Sequence, residues 1–353
     1  MLGQAEYYEP RKDFFVNCTK CGYCLSVCPT FTVTLWEHFS PRGRVVLSQL
    51  FKLDFDVSKS IFTCLTCGSC ENVCPADLNF TEEIEKVRSA IVRAGYGVKK
   101  HLDLLEIIMT YGNPYGEKPY EEEYKRAEVI YFPGCTALYK EKELFDATIN
   151  LLEKIGVEYY VEGRQCCGST AIRVGIGEEV ARKGFENLKK AIEKTGASVI
   201  VTSCPGCYRT IKKDYKKLFG GLNVEIKHIT EFVTDYIEKL RFKKTNLTVS
   251  YHDPCHLGRH MKVFEEPRIL IQKVAELKEL ERIKNESFCC GGGGGVRAGF
   301  RDFSMMVMQE RLKEVKRVGA ELLITACPFC YRNLKRGDVA VKDITVLLSE
   351  LIE

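Results

Sequence analysis

The sequence predicts a metal-binding N-terminal segment followed by two copies of one α/β unit. Three observations carry that expectation. Two cysteine runs, Cys18-x2-Cys21-x2-Cys24-x3-Cys28-Pro29 and Cys64-x2-Cys67-x2-Cys70-x3-Cys74-Pro75, crowd the N-terminal part. A second pattern, Cys135, Cys166-Cys167-Gly168 and Cys204-x2-Cys207, returns as Cys255, Cys289-Cys290-Gly291 and Cys327-x2-Cys330. Between these cysteines, short apolar runs alternate with amphipathic helical patterns, the rhythm of a parallel sheet. Together the two patterns use all 18 cysteines of the chain.

The 353 residues, 45% of them hydrophobic, suffice for two or three ordinary cores. Charges nearly cancel, with 52 Lys and Arg against 48 Asp and Glu, and they interleave along stretches such as 178–194. That balance demands no nucleic-acid partner. Residues 1–11 show no apolar leader, and no run approaches the ~18 residues of a membrane span. The expected location is cytoplasmic, at most peripheral on the cytoplasmic face of a membrane. In such a reducing compartment dense cysteine argues for metal rather than disulfides.

The elements follow in order. Ser40 to Leu50 reads as a helix with a Ser-Pro start. The stretch from Tyr111 to Glu123, rich in Gly, Pro and Glu, reads as a linker. Val129 to Phe132 is a strand leading to Cys135. Leu144, Thr148, Leu151 and Ile155 then share a helix face. A strand at 157–161, a helix through Ala181, Phe185, Leu188 and Ile192, a strand at 198–202 and a candidate strand at 224–227 complete the first copy. The second repeats the order: a strand at 247–251, a helix from Glu266 to Leu277, a helix from Asp302 to Val318 and a strand at 322–325. Cys166, Cys167, Cys204 and Cys207 recur 123 residues later, and Cys135 recurs 120 later. This is an internal duplication. The domain reading is 1–110, a linker at 111–126, 127–243 and 244–353.

The tight C-x2-C-x2-C-x3-C-P spacing suits a cubane iron–sulfur cluster: three cysteines wrap one cube and the fourth reaches the other. The expected sets are Cys18, Cys21, Cys24 and Cys74 for one cluster, and Cys64, Cys67, Cys70 and Cys28 for the second. Zinc sites pair two CxxC hooks rather than four cysteines in one run. The long gap from Cys28 to Cys64, with its helix, resembles the α-helical ferredoxin of succinate dehydrogenase-type iron–sulfur subunits. Arg42 and Arg44 start that helix, either as charge partners of a cluster or as surface residues.

Each α/β copy offers five cysteines, one more than a cubane requires. The Cys-Pro-x-Cys pairs follow strands, where α/β sheets bind ligands. Gly168 and Gly291 are expected to let the backbone approach a bulky inorganic core. The two quintets should each converge.

These motifs resemble the cysteine-rich CCG domain of heterodisulfide reductases, and from about residue 10 onward the chain resembles the D subunit of those enzymes. The resemblance implies an α-helical ferredoxin-type N-terminal domain followed by two duplicated α/β (Rossmann-like) CCG domains. It implies two cubane 4Fe-4S clusters and, on Cys135, Cys166, Cys167, Cys204, Cys207 and on Cys255, Cys289, Cys290, Cys327, Cys330, two non-cubane 4Fe-4S clusters lining the active site. Zinc at one CCG site is the alternative occupancy. The implied activity is that of a disulfide reductase component, with the coenzyme M–coenzyme B heterodisulfide of methanogenesis as its substrate. No flavin or nicotinamide fingerprint is present, so electrons must come from a redox partner, of the flavoprotein or membrane cytochrome b type. The architecture is also similar to electron-transfer subunits of dehydrogenases and membrane-linked respiratory complexes that have no disulfide substrate.

Weaker signals are read more plainly. The glycine run 291–295 opens from Cys-Cys rather than from a strand, so it is expected to clear space, not to cradle phosphate. His252, His256 and His260 are either a proton source or, preferred, surface and capping histidines. Met305, Met306 and Met308 read as core packing. Lys212, Lys213, Lys216 and Lys217 form a basic face, solvated or open to an anion.

Overall fold

Apolar stripes and helix-start residues build the N-terminal part of the computed structural model, which describes residues 13–50 and 54–353. Helix α1 (Pro29–Thr34) leaves Cys28 with proline at its first position, and α2 (Pro41–Leu50) begins where Ser40 Oγ accepts the Gly43 N–H at 3.0 Å. Asp54 caps α3 (Phe55–Phe62), accepting from the Asp56 and Val57 amides. In α4 (Phe80–Arg93) the fully buried Ile84, Val87 and Ile91 fall at helical spacing, and they pack in one core with Phe15, Val45, Ile61 and Phe62. The Phe15 and Phe80 rings lie 5.1 Å apart in that core. Helix α5 (Lys99–Tyr111) follows.

The α/β part adds, in order, β1 (Val129–Phe132), α6 (Cys135–Tyr139), α7 (Lys142–Ile155), β2 (Tyr159–Val161), α8 (Ser169–Arg173), α9 (Glu178–Thr195) and β3 (Val199–Thr202). Then come α10 (Pro205–Arg209), a π-helical turn at Thr210–Asp214, α11 (Tyr215–Phe219), β4 (Glu225–His228) and α12 (Ile229–Asp235). The second copy runs β5 (Thr248–His252), α13 (Gly258–Met261), α14 (Glu265–Val274), β6 (Glu276–Leu277), α15 (Val296–Gly299), α16 (Arg301–Val318), β7 (Leu322–Thr325), α17 (Pro328–Leu334), β8 (Val341–Asp343) and α18 (Ile344–Leu351). Every strand pair is parallel, and the two four-stranded sheets have the same order, β2-β1-β3-β4 and β6-β5-β7-β8. Strands β1 and β7 are buried throughout, as parallel strands covered on both faces must be.

Two units emerge from how the chain packs. One takes Met1–Glu106, Thr170–Gly177 and Asn285–Arg311; the other takes Ile107–Ser169, Glu178–Lys284 and Leu312–Glu353. Within the second unit the copies meet reciprocally. Helix α7 of the first packs on α18 of the second, and α14 of the second packs on α12 of the first. Since α14 is the counterpart of α7, and α18 of α12, this is the arrangement of an isologous dimer inside one chain. Asn150 Nδ2 donates to Ser349 Oγ at 2.8 Å, and Tyr331 O–H to Glu143 Oε1 at 2.5 Å, across that seam.

Local departures from the sequence expectation have local causes. The helix expected from Glu266 to Leu277 stops at Val274. Ala275 turns extended, and Glu276 and Leu277 pair with Thr248 and Val249 as β6. Propensity gives no warning of that ladder partner. The segment 112–126 has no regular structure but is anchored: Tyr115 O–H meets Thr136 Oγ1 at 2.9 Å, and Lys140 pairs with Glu117 at 2.7 Å. Only Met308 of the three methionines is in the core; Met306 is exposed.

Candidate metal centres

The two C-x2-C-x2-C-x3-C-P runs exchange their last cysteines. Cys18, Cys21 and Cys24 line one cavity with Cys74, while Cys28 lines the neighbouring one with Cys64 and Cys67; Cys70 borders both. Pro29 and Pro75 turn the chain after each fourth thiol. The cavities differ in environment. Cys21 is exposed and Cys18, Cys24 and Cys74 are half-buried, whereas Cys28, Cys64, Cys67 and Cys70 are all buried. At the outer cavity the Tyr23 N–H pulls the Cys21 thiol below its ordinary range, while burial pushes Cys24 up to about 11. At the inner one, burial and then the neighbouring Cys67 and Cys64 push Cys70 well up. Burial also raises Cys64, against the pull of Arg44 and Arg88. Four thiols pressed together in a buried pocket are costly as thiolates unless a cation joins them, so the donor set fits a metal cluster.

The first quintet gathers at one place in the second unit. Cys135 opens α6 after β1, and Cys204 caps α10 after β3. Strands β1 and β3 are adjacent, while β2 lies on the other side of β1, so these carboxyl ends mark the point where the strand order reverses. Cys167 and Cys207 approach to 3.3 Å between sulfurs. Hydrogen bonds link Cys135 to Cys166, Cys166 to Cys167, and Cys207 to Cys204. Cys166 is held well below the usual thiol range by the Cys135 and Cys167 thiols and by the Gly168 N–H, against its own burial. Cys204 is lowered by the Cys207 thiol and by the Cys207 and Gly206 amides. Five buried sulfurs this close together are costly as thiolates unless a cation joins them, so this set too fits a metal cluster.

The second quintet divides by unit. Cys255, Cys327 and Cys330 belong with the sheets, while Cys289 and Cys290 belong with the N-terminal unit. Its local bonds repeat the first quintet's. Gly291 N–H points at Cys289 Sγ at 3.5 Å, as Gly168 N–H points at Cys166 Sγ at 3.4 Å. Cys327 caps α17 and accepts from the Cys330 N–H. Gly168 and Gly291 each lie against a helix. A Cβ on Gly168 would lie 2.8 Å from the Ala181 backbone of α9, and one on Gly291 would lie 2.4 Å from Ser304 O of α16. The glycines let each Cys-Cys turn press onto a helix.

Sequence reasoning missed buried polar groups. His252 is 1% exposed at the end of β5, not a surface residue, and one ring nitrogen lies within 4.8 Å of Cys330 Sγ. Its neighbours in sequence, His256 and His260, stack edge to face at 4.8 Å. Arg44 and Arg88 are fully buried beside the inner cavity, whereas Arg42 reaches outward to Glu37 at 2.6 Å. Arg88 had a legible signal: it falls on the apolar stripe Ile84, Val87, Ile91 of α4, where a charge is out of place. The four lysines on 212–217 are exposed, and Lys212 reaches Tyr208 O–H at 2.6 Å.

A cysteine-rich domain model matches residues 129–212 and 249–335, and a 4Fe-4S dicluster domain model matches 15–78. The D subunit of dihydromethanophenazine:CoB--CoM heterodisulfide reductase from Methanosarcina acetivorans is 35% identical over 95% of this chain and 93% of its own length. The chain belongs to the D-subunit family of heterodisulfide reductases. It is an iron–sulfur member of an oxidoreductase family, with a 4Fe-4S dicluster segment and two CCG domains. The B subunit of fumarate reductase (CoM/CoB) from Methanothermobacter marburgensis is 31% identical over 94% of this chain and 71% of its own. The probable glycolate oxidase iron-sulfur subunit of Bacillus subtilis is 25% identical over 91% and 88%. Among solved structures, a hypothetical protein from Helicobacter pylori aligns with a TM-score of 0.54 at 11% identity, covering 79% of this chain and 60% of that one, a likeness of fold. Among the described residues no helix is long and apolar enough to cross a membrane.

Proposed function

We propose that this chain is the iron–sulfur subunit of a heterodisulfide reductase-like complex and reduces a small-molecule disulfide. On this reading Cys18, Cys21, Cys24 and Cys74 hold one cubane 4Fe-4S cluster, and Cys64, Cys67, Cys70 and Cys28 hold the other. The quintets Cys135, Cys166, Cys167, Cys204, Cys207 and Cys255, Cys289, Cys290, Cys327, Cys330 each hold a non-cubane 4Fe-4S cluster. The functional division is the ferredoxin-type segment 1–110, the linker 111–126 and two Rossmann-like CCG domains, 127–243 and 244–353. An electron-donating partner of the flavoprotein or cytochrome b type supplies the electrons on the cytoplasmic side.

The observation that carries this reading is the first quintet: five hydrogen-bonded thiols at the strand-order reversal, where a relay would need four. When bound, the clusters supply one-electron chemistry and iron with an affinity for sulfur. The rest falls to the chain. The Gly168, Gly206 and Cys207 amides lower the charge cost of the thiolates. The carboxyl ends of β1 and β3 present the set toward a ligand. A disulfide taking two electrons and two protons leaves as two thiols. The coenzyme M–coenzyme B heterodisulfide is the first candidate, because the Methanosarcina relative carries it in its name.

Anaerobic purification with metal counting, then oxidation of a reduced dye by candidate disulfides, tests the proposal. Roughly sixteen irons per chain and disulfide-dependent dye oxidation are expected. Full iron without that oxidation replaces the enzyme with an electron relay. Zinc with about half the iron sinks both CCG assignments.

A further inference from the structure

Two arginines inside the N-terminal unit make no hydrogen bond to a carboxylate among the described residues. Arg44, 1% exposed, donates from Nε to Ser60 O at 2.8 Å and from NH2 to Thr30 Oγ1 at 3.1 Å and Thr63 Oγ1 at 3.3 Å. Arg88, 0% exposed, donates to Ile61 O, to Cys64 O at 2.6 Å, to Arg173 O at 2.6 Å and to Gly294 O at 2.9 Å. Among the described residues every acceptor is a carbonyl or a hydroxyl. The nearby Glu85 is already paired with Arg173 at 2.7 Å.

Carbonyls and hydroxyls satisfy the hydrogen bonds but carry no full negative charge; Glu85 acts on Arg88 only through space, and burial opposes charges held this way. Burial, against the pull of Cys64, brings Arg88 down to about 10. Both guanidiniums touch the ligand set of one cavity. Thr30 Oγ1, which accepts from Arg44, lies 3.2 Å from Cys28 Sγ, and Arg88 holds the Cys64 carbonyl. The cations that line the outer cavity are of another kind: Lys20 is exposed, and Arg42 is half-buried and bonded to Glu37.

A cubane held by four thiolates is anionic and gains a further negative charge on one-electron reduction. Burying it disfavours that charge; buried cations favour it. We propose that Arg44 and Arg88 are the counter-charges of the inner cluster site formed by Cys28, Cys64, Cys67 and Cys70, and hold its one-electron potential above that of the solvent-facing outer site. Arg88 has a second task. By bonding Cys64 O and Gly294 O together it seats the glycine run after Cys289-Cys290 on the Cys64–Leu65 backbone. That seat is why the run lacks side chains: a Cβ on Gly293 would come to 2.7 Å from Leu65 O, and one on Gly294 to 2.4 Å from Cys64 O. The electron is thereby held at the site whose ligand loop contacts the Cys289-Cys290 segment.

The inference rests on the iron–sulfur reading, and the experiment separates the two. Wild type and variants are loaded anaerobically, iron is counted, and each cubane is titrated potentiometrically by electron paramagnetic resonance with dithionite as reductant. No cubane signal in wild type defeats the functional reading itself. With both signals present, Arg44→Met and Arg88→Met should each lower the reduced-to-oxidised ratio of the inner site about tenfold at the wild-type midpoint, about 59 mV. Arg44→Lys and Arg88→Lys, which keep the charge, should stay near wild type. Thr63→Asp leaves Arg44 in place but neutralises it, so it should act like Arg44→Met even if the methionine variants fail to load iron. An inner midpoint unmoved by Thr63→Asp, or by a methionine variant that keeps its iron, overturns the inference.

Discussion

Replacing the fourth cysteine of each run by serine should damage the other run's site, and the two variants should not be equal. Cys28 lines the cavity of Cys64, Cys67 and Cys70, and Cys74 lines that of Cys18, Cys21 and Cys24. A serine at 28 has competing partners: Thr30 Oγ1 lies 3.2 Å and Phe39 O 3.8 Å from the present sulfur, and the residue is only 5% exposed. Its hydroxyl would be held by those oxygens, and no solvent can replace the missing ligand. The whole inner cluster should go, about four of roughly sixteen irons. At the outer site Cys21 is exposed and Cys74 half-buried, so water or the serine oxygen can complete the set. Cys74→Ser should therefore lose about one iron or none, with an altered signal from the outer cluster. Iron counting and electron paramagnetic resonance of the dithionite-reduced proteins decide the matter. If Cys28→Ser instead abolished the outer signal and spared the inner one, the exchange of fourth ligands would be refuted.

Acid should loosen the glycine run through His101, which reaches Gly295 O from Nε2 at 2.8 Å. Burial, assisted by Arg88, depresses its pKa from 6.5 to about 4 against the pull of that carbonyl. The folded imidazole stays neutral while the unfolded one protonates, so stability is complete above about pH 6.5 and falls toward pH 4, by about 3 kcal/mol in all. In anaerobic hydrogen exchange, wild type and His101→Gln should converge in the opening free energy of the Gly299 amide as pH drops from 7 to 5; parallel curves would exclude the effect. Ile91→Ala removes a fully buried side chain from the α4 stripe and should cost about 2–5 kcal/mol. A change in apparent unfolding free energy below about 1 kcal/mol would mean that this core can collapse around the gap.

Spacing carried the sequence reading where chemistry dictates spacing. The spacing predicts that the fourth cysteine of each run joins the other run's site, and in the structure Cys28 lines a cavity with Cys64 and Cys67 while Cys74 lines one with Cys18, Cys21 and Cys24. Alternation carried the sheets, because buried parallel strands must be apolar throughout, as Val129–Phe132 is. The features that stayed hidden depend on partners distant in sequence. Strand β6 exists because Thr248 and Val249 offer a ladder, not because Glu276 and Leu277 favour one. Gly168 and Gly291 could be read as needing room, but not that the room is taken by α9 and α16. His252 read as a surface residue because three polar histidines near one cysteine look like a loop, yet the last residue of a central strand is buried whatever its polarity.

The duplication is close in backbone and unequal in chemistry, and the inequality sits behind the cysteines. Phe132 and His252 end the equivalent strands β1 and β5, three residues before Cys135 and Cys255. His228 and Asp343 occupy the equivalent caps of α12 and α18. Tyr131 bonds Ser203 Oγ at 2.9 Å, but the second copy has Ala326 in place of that serine, and the buried Tyr251 O–H has no hydrogen-bond partner among the described residues. Burial pushes Asp343 up to about 7 and His228 down to about 3, so near neutrality the first cap is a neutral imidazole and the second a carboxyl close to its titration point. The equivalent helices still pair in both directions across the seam, α7 with α18 and α14 with α12. These differences lie at or just after the ends of β1, β3, β5 and β7 and at the caps of α12 and α18, and the carboxyl ends of parallel strands are where α/β sheets bind ligands.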